Sequence, residues 1–170
     1  LVYLSKATQT SPTIFALNND GVAGPYYALG VSANGNNITY SNDTTGLLTW
    51  AVPGGMIGKF AQVALVISNT VNVTAYVNGQ NLGTKIQTGF GTSPGAPAWI
   101  GAVGTTTTGN RWAGNVDELA IYGSALSEDT IQGHYATFVY GTNTAAPSIV
   151  SAPAAKTGFA GASPTRSVQA

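Results

Sequence analysis

Apolar and β-branched residues recur along this chain in runs of strand length, cut by Gly, Asn and Pro, and one stretch alone carries a helical pattern. That is an all-β pattern. Thr13 to Leu17 reads as a strand ended by Asn18-Asn19-Asp20-Gly21, and Tyr26 to Ser32 pairs with Asn37 to Ser41 across Asn34-Gly35, a hairpin signal. A second hairpin follows. Ala61 to Ser68 and Val71 to Val77 flank Asn69-Thr70, and Asn78-Gly79 turns the chain again toward Gly83 to Gln87. Ala98 to Val103 and Asn115 to Tyr122 are the last two strands read, with the polar loop Gly104 to Asn110 between them. Ser127 before Glu128 and Asp129 suits a helix N-cap with acidic residues at the positive end of the dipole, so a short helix to about Phe138 is expected.

Beyond Tyr140 the pattern stops, and Gly141 to Ala170 sets Pro147, Pro153 and Pro164 among Ala, Ser, Thr and Gly. Such a segment cannot build a core. The expected organisation is therefore one domain over residues 1–140 and an extended Pro/Ala-rich arm over 141–170. A single domain also suits the length, since two halves of a 170-residue chain would each be marginal.

Composition changes the picture in one respect. Hydrophobic residues make up 44% of the chain and charged residues only 7%, against roughly a quarter in ordinary soluble proteins, so Thr, Asn, Ser and Gly must cover the surface. That is the surface of a secreted or assembled protein. Six basic residues balance six acidic ones, which leaves no electrostatic footprint for a phosphate backbone, and nucleic acid is not an expected partner. A chain with no net charge lacks the self-repulsion that keeps copies apart, so a homo-oligomer or a place in a larger particle is expected. With no Cys, a thiolate metal site or a cysteine nucleophile is excluded. No apolar run approaches the 18 or so residues of a membrane span.

From about Phe60 to Tyr135 three motifs stand in order: Phe60-Ala61-Gln62-Val63-Ala64-Leu65-Val66, then Val73-Thr74-Ala75-Tyr76-Val77-Asn78-Gly79, then Trp99-Ile100-Gly101 ahead of Trp112-Ala113-Gly114-Asn115-Val116-Asp117-Glu118-Leu119-Ala120-Ile121-Tyr122. With Ala125-Leu126-Ser127 and the helix behind them, they resemble the second half of a laminin-G-like domain of the concanavalin A-like lectin and glucanase kind. Gln62 departs from the His common at its position, and Met56 to Lys59 lacks the usual Trp. The resemblance implies a two-sheet antiparallel jelly-roll sandwich with one short C-terminal helix.

Catalytic chemistry finds little support. Adjacent residues of a strand point to opposite faces, so Asp117 and Glu118, read here on one strand, cannot flank one glycosidic bond. A structural role is expected for both. Glycosidases of this architecture resemble one another in an alternating Glu-x-Asp-x-(x)-Glu strand that this chain lacks, and the single His134 sits in the helix without a nucleophile partner. No enzyme activity is expected. Calcium is a possible cofactor through the resemblance, with Asp20 and Asp43 the weak candidate ligands; each loop supplies one Asp where calcium wants six to eight oxygens. For glycans, which need an aromatic platform with amides or hydroxyls beside it, the candidates are Trp50, Tyr26, Tyr27, Tyr40, Asn42, Asn110 and Trp112, with Trp50 first. Sequons stand at Asn37, Asn42 and Asn72.

The function expected first is a non-catalytic structural or display module on a virion, filament or cell envelope, anchored to other subunits by residues 141–170 and recognising glycans at its rim. The alternative is a free secreted carbohydrate-binding or adhesion module. Both readings place the chain outside the cell.

Overall fold

The computed structural model describes residues 1–5, 12–17, 27–42, 46–89, 97–104 and 110–141. Five strands come first: β1 (Val2–Leu4), β2 (Thr13–Leu17), β3 (Tyr27–Val31), β4 (Asn37–Asn42) and β5 (Gly46–Ala51). Then follow β6 (Phe60–Ala61), β7 (Val63–Ser68), β8 (Asn72–Val77), β9 (Gln80–Ile86), β10 (Ala98–Ile100), β11 (Gly114–Val116) and the helix α1 (Glu128–Tyr140). The mostly β architecture with one short helix is the expected one. The chain divides into two compact units, Leu1–Tyr135 and Ala136–Ala170, and of the second only residues 136–141, the end of α1 and Gly141, are described.

Every ladder among the described residues is antiparallel, in the orders β10-β2-β3-β4-β5, β11-β1-β6 and β7-β8-β9. The last two are nearly one layer. Only Gln62 separates β6 from β7, so one run of chain pairs with β1 on entering and with β8 on leaving. A single core cluster then draws Val31, Ile38, Tyr40 and Trp50 from the five-stranded sheet, Val2, Leu4 and Ala61 from β1 and β6, and Val73, Ala75 and Val77 from β8. Two layers thus share one interior, as in the sandwich the resemblance implies.

Gln62 holds the seam between the two ladders. Its backbone N–H donates to Asn78 Oδ1 and its carbonyl accepts from the Asn78 N–H, both at 3.0 Å. Its side chain reaches further: Oε1 accepts from the Gly79 N–H at 3.0 Å, and Nε2 donates to the Ile131 carbonyl at 3.1 Å. Gly79 sits at φ +73° beside Asn78 at +53°, the two left-handed positions a tight hairpin turn demands. Helix α1 starts as expected, with Ser127 Oγ accepting from the Thr130 N–H at 3.2 Å, and it buries Ile131.

The differences from the sequence reading have local causes. Strand β11 stops at Val116 and not at Tyr122, because Glu118 takes φ +49°, which breaks the pleat; Leu119, Ile121 and Tyr122 are left exposed. Strand β10 stops at Ile100, where Gly101 turns left-handed at +72° and receives the Trp112 N–H. Strands β1 and β5 are not visible in the sequence, since β1 is too short to show a period and β5 mixes an outward Leu47 with an inward Trp50, and the run read as one strand from Ala61 to Ser68 divides at Gln62 into β6 and β7.

Replacing Gln62 with Ala removes the acceptor for Gly79 and the donor to Ile131 while leaving the backbone pairs. For a half-buried amide this is expected to cost about 1–2 kcal/mol. Urea unfolding of Gln62→Ala should show a lowered midpoint at unchanged slope; an unchanged midpoint would mean that the seam holds without this side chain.

Candidate functional site

Alternation along β4 sends Ile38, Tyr40 and Asn42 to one face, and that face is the interior. Polar groups carried inward must bond there. Tyr40 Oη donates to Gln87 Oε1 at 3.0 Å, Asn42 Nδ2 donates to the same oxygen at 2.8 Å and to the Gly89 carbonyl at 3.2 Å, and Gln87 Nε2 donates to the Thr70 carbonyl at 2.7 Å. Burial pushes the Tyr40 hydroxyl up to about 12, with the Asn42 hydrogen bond opposing the shift and Tyr27 adding to it. The half-buried Tyr27 ring stacks on Tyr40 with centroids 6.5 Å apart.

Trp50 lies in the same interior at 2% exposure, its Nε1 donating to the Gly83 carbonyl at 2.8 Å and the Lys85 ammonium 5.9 Å from its ring centroid. The expectation of an exposed platform at Trp50 is corrected: its bond to Gly83 ties β5 to β9, and truncating such a side chain costs about 3–5 kcal/mol. Tyr40 and Asn42, each 2% exposed, are corrected likewise. The Asn42 sequon is closed by the same geometry, because its amide nitrogen is already committed inside. Trp112 is half-buried and its Nε1 is shared between the carbonyls of Tyr3 and Asn115, at 3.2 and 3.1 Å, which makes it a brace for β1 and β11. Asn110 is half-buried at the start of a described stretch, away from that inner cluster in sequence. Tyr26, Asp20 and Asp43 lie outside the described residues.

The premise that Asp117 and Glu118 point to opposite faces of a strand is also corrected, since both follow the end of β11 and both are exposed. Asp117 Oδ1 accepts from the Glu118 N–H at 2.9 Å, a local turn contact. Among the described residues no group of three or more His, Asp or Glu side chains could hold a metal ion, so no calcium chemistry is built on them. His134 stacks on Tyr122 at 6.1 Å.

The outward face of the five-stranded sheet is where small and hydroxyl side chains collect. Cross-strand register aligns Trp99, Ala16, Ala28, Ser41 and Leu47 in one row, and Thr13, Gly30, Thr39 and Thr49 in the next row on the same face. Part of the second row is covered: the Pro12 carbonyl occupies the space a Gly30 Cβ would need, and Thr13 and Thr39 are buried. The first row is more open. Half-buried Trp99 on edge strand β10 and Leu47, 65% exposed on edge strand β5, stand at the two ends of this row; between them Ala28 and Ser41 are half-buried, and Ala16, beside Trp99, is fully buried. Four strand spacings put these ends roughly 19 Å apart. Sequence reasoning placed Trp99 only within a motif and missed this row, because its neighbours come from four other strands and no run of residues displays them together.

A sandwich of two antiparallel layers with this motif order can be compared with known proteins. The family model described as concanavalin A-like lectin/glucanases superfamily matches residues 2–132. The chain belongs to this superfamily. Two solved structures of the CBM40 module of a Ruminococcus gnavus IT-sialidase share the fold at a TM-score of 0.64. The one bound to alpha2,3 sialyllactose is 16% identical, with 79% of this chain and 78% of that chain covered; the other is 15% identical, with 79% of each covered. An S-layer domain-containing protein from Clostridium thermocellum, 22% identical with 75% of this chain and 64% of that one covered, reaches a TM-score of only 0.39. No curated protein matches the sequence.

The buried Tyr40 gives this superfamily member an alkaline stability limit. Because its hydroxyl ionises near 12 in the fold and near 10 when unfolded, its contribution is whole below pH 10 and is lost as pH rises toward 12. The loss should be on the order of 2 kcal/mol. Urea midpoints measured from pH 9 to 12 are expected to fall in that window, and Tyr40→Phe should flatten the fall; equal slopes in both proteins would remove Tyr40 as the cause.

Proposed function

We propose that this chain is a non-catalytic carbohydrate-binding module acting outside the cell, and that the row from Trp99 to Leu47 is its glycan-contacting surface. The observation that carries the reading is the make-up of that row. An indole offers an apolar face to a sugar ring, the small Ala28 and Ser41 let a flat ligand approach the sheet, and Ser41 and the neighbouring Thr49 supply hydroxyls. Membership in a lectin and glucanase superfamily and the likeness to carbohydrate-binding modules support the class of ligand without naming it.

The absence of an activity is argued from the sequence, which has neither the alternating carboxylate strand of related glycosidases nor a nucleophile beside its one His. Localisation outside the cell agrees with the Thr- and Asn-rich, charge-poor composition; no described helix is long and apolar enough to cross a membrane. Anchoring to an assembly through residues 141–170 rests on composition, as all of that arm except Gly141 lies outside the described residues.

A glycan array probed with the chain should give a defined set of hits, and titration of the best hit against Trp99→Ala and Ser41→Arg should show at least about a tenfold loss of affinity in each. Circular dichroism and urea midpoints check that both variants remain folded. No hit on the array, or full affinity in both variants, would sink this assignment. For the arm, light scattering on the chain with and without residues 141–170 is expected to show a larger species only for the longer one; two monomers would remove the anchoring role.

A further inference from the structure

A concavity lies away from that row, where the β5–β6 connection meets the β8–β9 hairpin. It encloses about 120 Å³, less than half of the roughly 300 Å³ at which pockets for drug-sized ligands begin, so it has room for one small ring. Its floor is apolar and inside the core: Val52, Met56 and Val77 are nearly fully buried. Its rim is different in kind. Lys59, Phe60 and Gln80 stand there, all exposed, with Phe60 at 54%.

The rim is held in place more firmly than a connecting loop requires. Val52 N–H donates to the Asn36 carbonyl at 2.8 Å, Gly55 N–H to Val52 at 3.0 Å, Met56 N–H to Gly35 at 3.0 Å and Gly58 N–H to Leu4 at 2.8 Å. Gly54 and Gly55 take φ of +73° and +63°, and a Cβ on Gly55 would come within 2.8 Å of Asn36 Oδ1, so the turn is fitted against the β3–β4 hairpin. The Phe60 ring is braced by Tyr3 across the β1–β6 pair, centroids 4.9 Å apart. Lys59 Nζ donates to the Gly54 carbonyl at 2.7 Å and pairs with no carboxylate among the described residues. In a chain with six Lys and Arg in all, a cation held at the mouth of an apolar pocket is an unusual placement. A lysine stem lying on apolar surface is common, and its ammonium then points to water. Here it is turned back onto the loop.

We propose that this pocket is a ligand site separate from the glycan-contacting row, taking a small ring that carries one carboxylate. The carboxylate meets the Lys59 ammonium, the ring's apolar face lies against Phe60 and the floor, and the Gln80 amide is placed to bond a substituent on the ring's far side. The inference does not depend on the glycan reading, because none of its residues belongs to the Trp99–Leu47 row. Two sources share this chemistry, a uronic acid and an aromatic acid.

Nitrogen-15 NMR titrations of the full chain distinguish them, with D-glucuronate, 4-hydroxybenzoate and, as the uncharged counterpart of the first, methyl D-glucuronate. The expected result is a set of shifts at the amides of Gly55, Lys59, Phe60 and Gln80 with one acid, which names the source, and little effect of the ester. Lys59→Gln should weaken that binding about fivefold, the size of one exposed charge pair, and Lys59→Arg should restore most of it. Lys59 is exposed and outside every strand, so neither substitution should alter the rest of the spectrum. Absence of shifts at these amides with either acid, equal shifts with acid and ester, or undiminished binding in Lys59→Gln would each overturn the proposal. Failure of the glycan array leaves this outcome readable, since the amides reporting here are not those of the sheet face.

Discussion

Two layers that share one interior can admit polar side chains only if those side chains satisfy one another, and strand β4 forces the issue. Its alternation carries Tyr40 and Asn42 inward behind Ile38, into the space facing β8 and the residues after β9. An unmet donor or acceptor there costs about 1–3 kcal/mol. Gln87 resolves the conflict, accepting from both Tyr40 and Asn42 with one oxygen and giving its own amide to Thr70. The same contacts fix register, because a slip of one residue would turn Ile38, Tyr40 and Asn42 out to solvent and bring Thr39 and Ser41 in. The Trp50 bond to Gly83 and the Gln62 seam then close the sides of an interior whose contents are already decided.

How a chain with so few charges stays folded follows from the same division. Apolar residues and the satisfied polar group fill the inside, while Thr, Ser and Asn outside hydrate well without needing partners and leave large apolar side chains such as Leu47, Ile86 and Ile100 exposed among them. A face of this kind is flat and weakly polar. It offers a ligand no strong charge to bind, so affinity there has to come from apolar contact beside a few hydroxyls, whereas the Lys59 pocket combines a cation with an apolar floor.

Much of the fold was legible because it rests on local signals. Asn78-Gly79 announced its hairpin, Ser127 with two acidic residues announced the helix, and the runs from Ala61 to Val77 announced the central ladder, each through a backbone preference that nearby residues satisfy. The end of β11 was not legible: the run from Val116 to Tyr122 alternates well enough to read as strand, and only the left-handed Glu118 shows that the chain leaves the sheet. The candidate site fared worse for a physical reason. Aromatic residues were judged one by one, whereas exposure in a sandwich belongs to a face. For β4 the information was present, since Ile38 two residues before Tyr40 and four before Asn42 marks their shared side as the core side. For Trp50 it was not, as Leu48 and Leu47 are equally apolar and either could have faced inward.

Trp50 and Trp99 make the distinction that the proposed function turns on. Both stand on edge strands of one sheet, and both could stack on a sugar as free side chains. Register separates them: Trp50 pairs with Ile38 and so inherits the interior, while Trp99 pairs with Ala16 and so inherits the face that also carries Ala28, Ser41 and Leu47. A ring on the inside contributes through burial and one hydrogen bond, and exposing it to a ligand would mean opening the layers at a cost of several kcal/mol. A ring on the outside needs no such opening. Binding by this fold is therefore decided less by how many aromatic residues the chain has than by which strand neighbours each one is paired with.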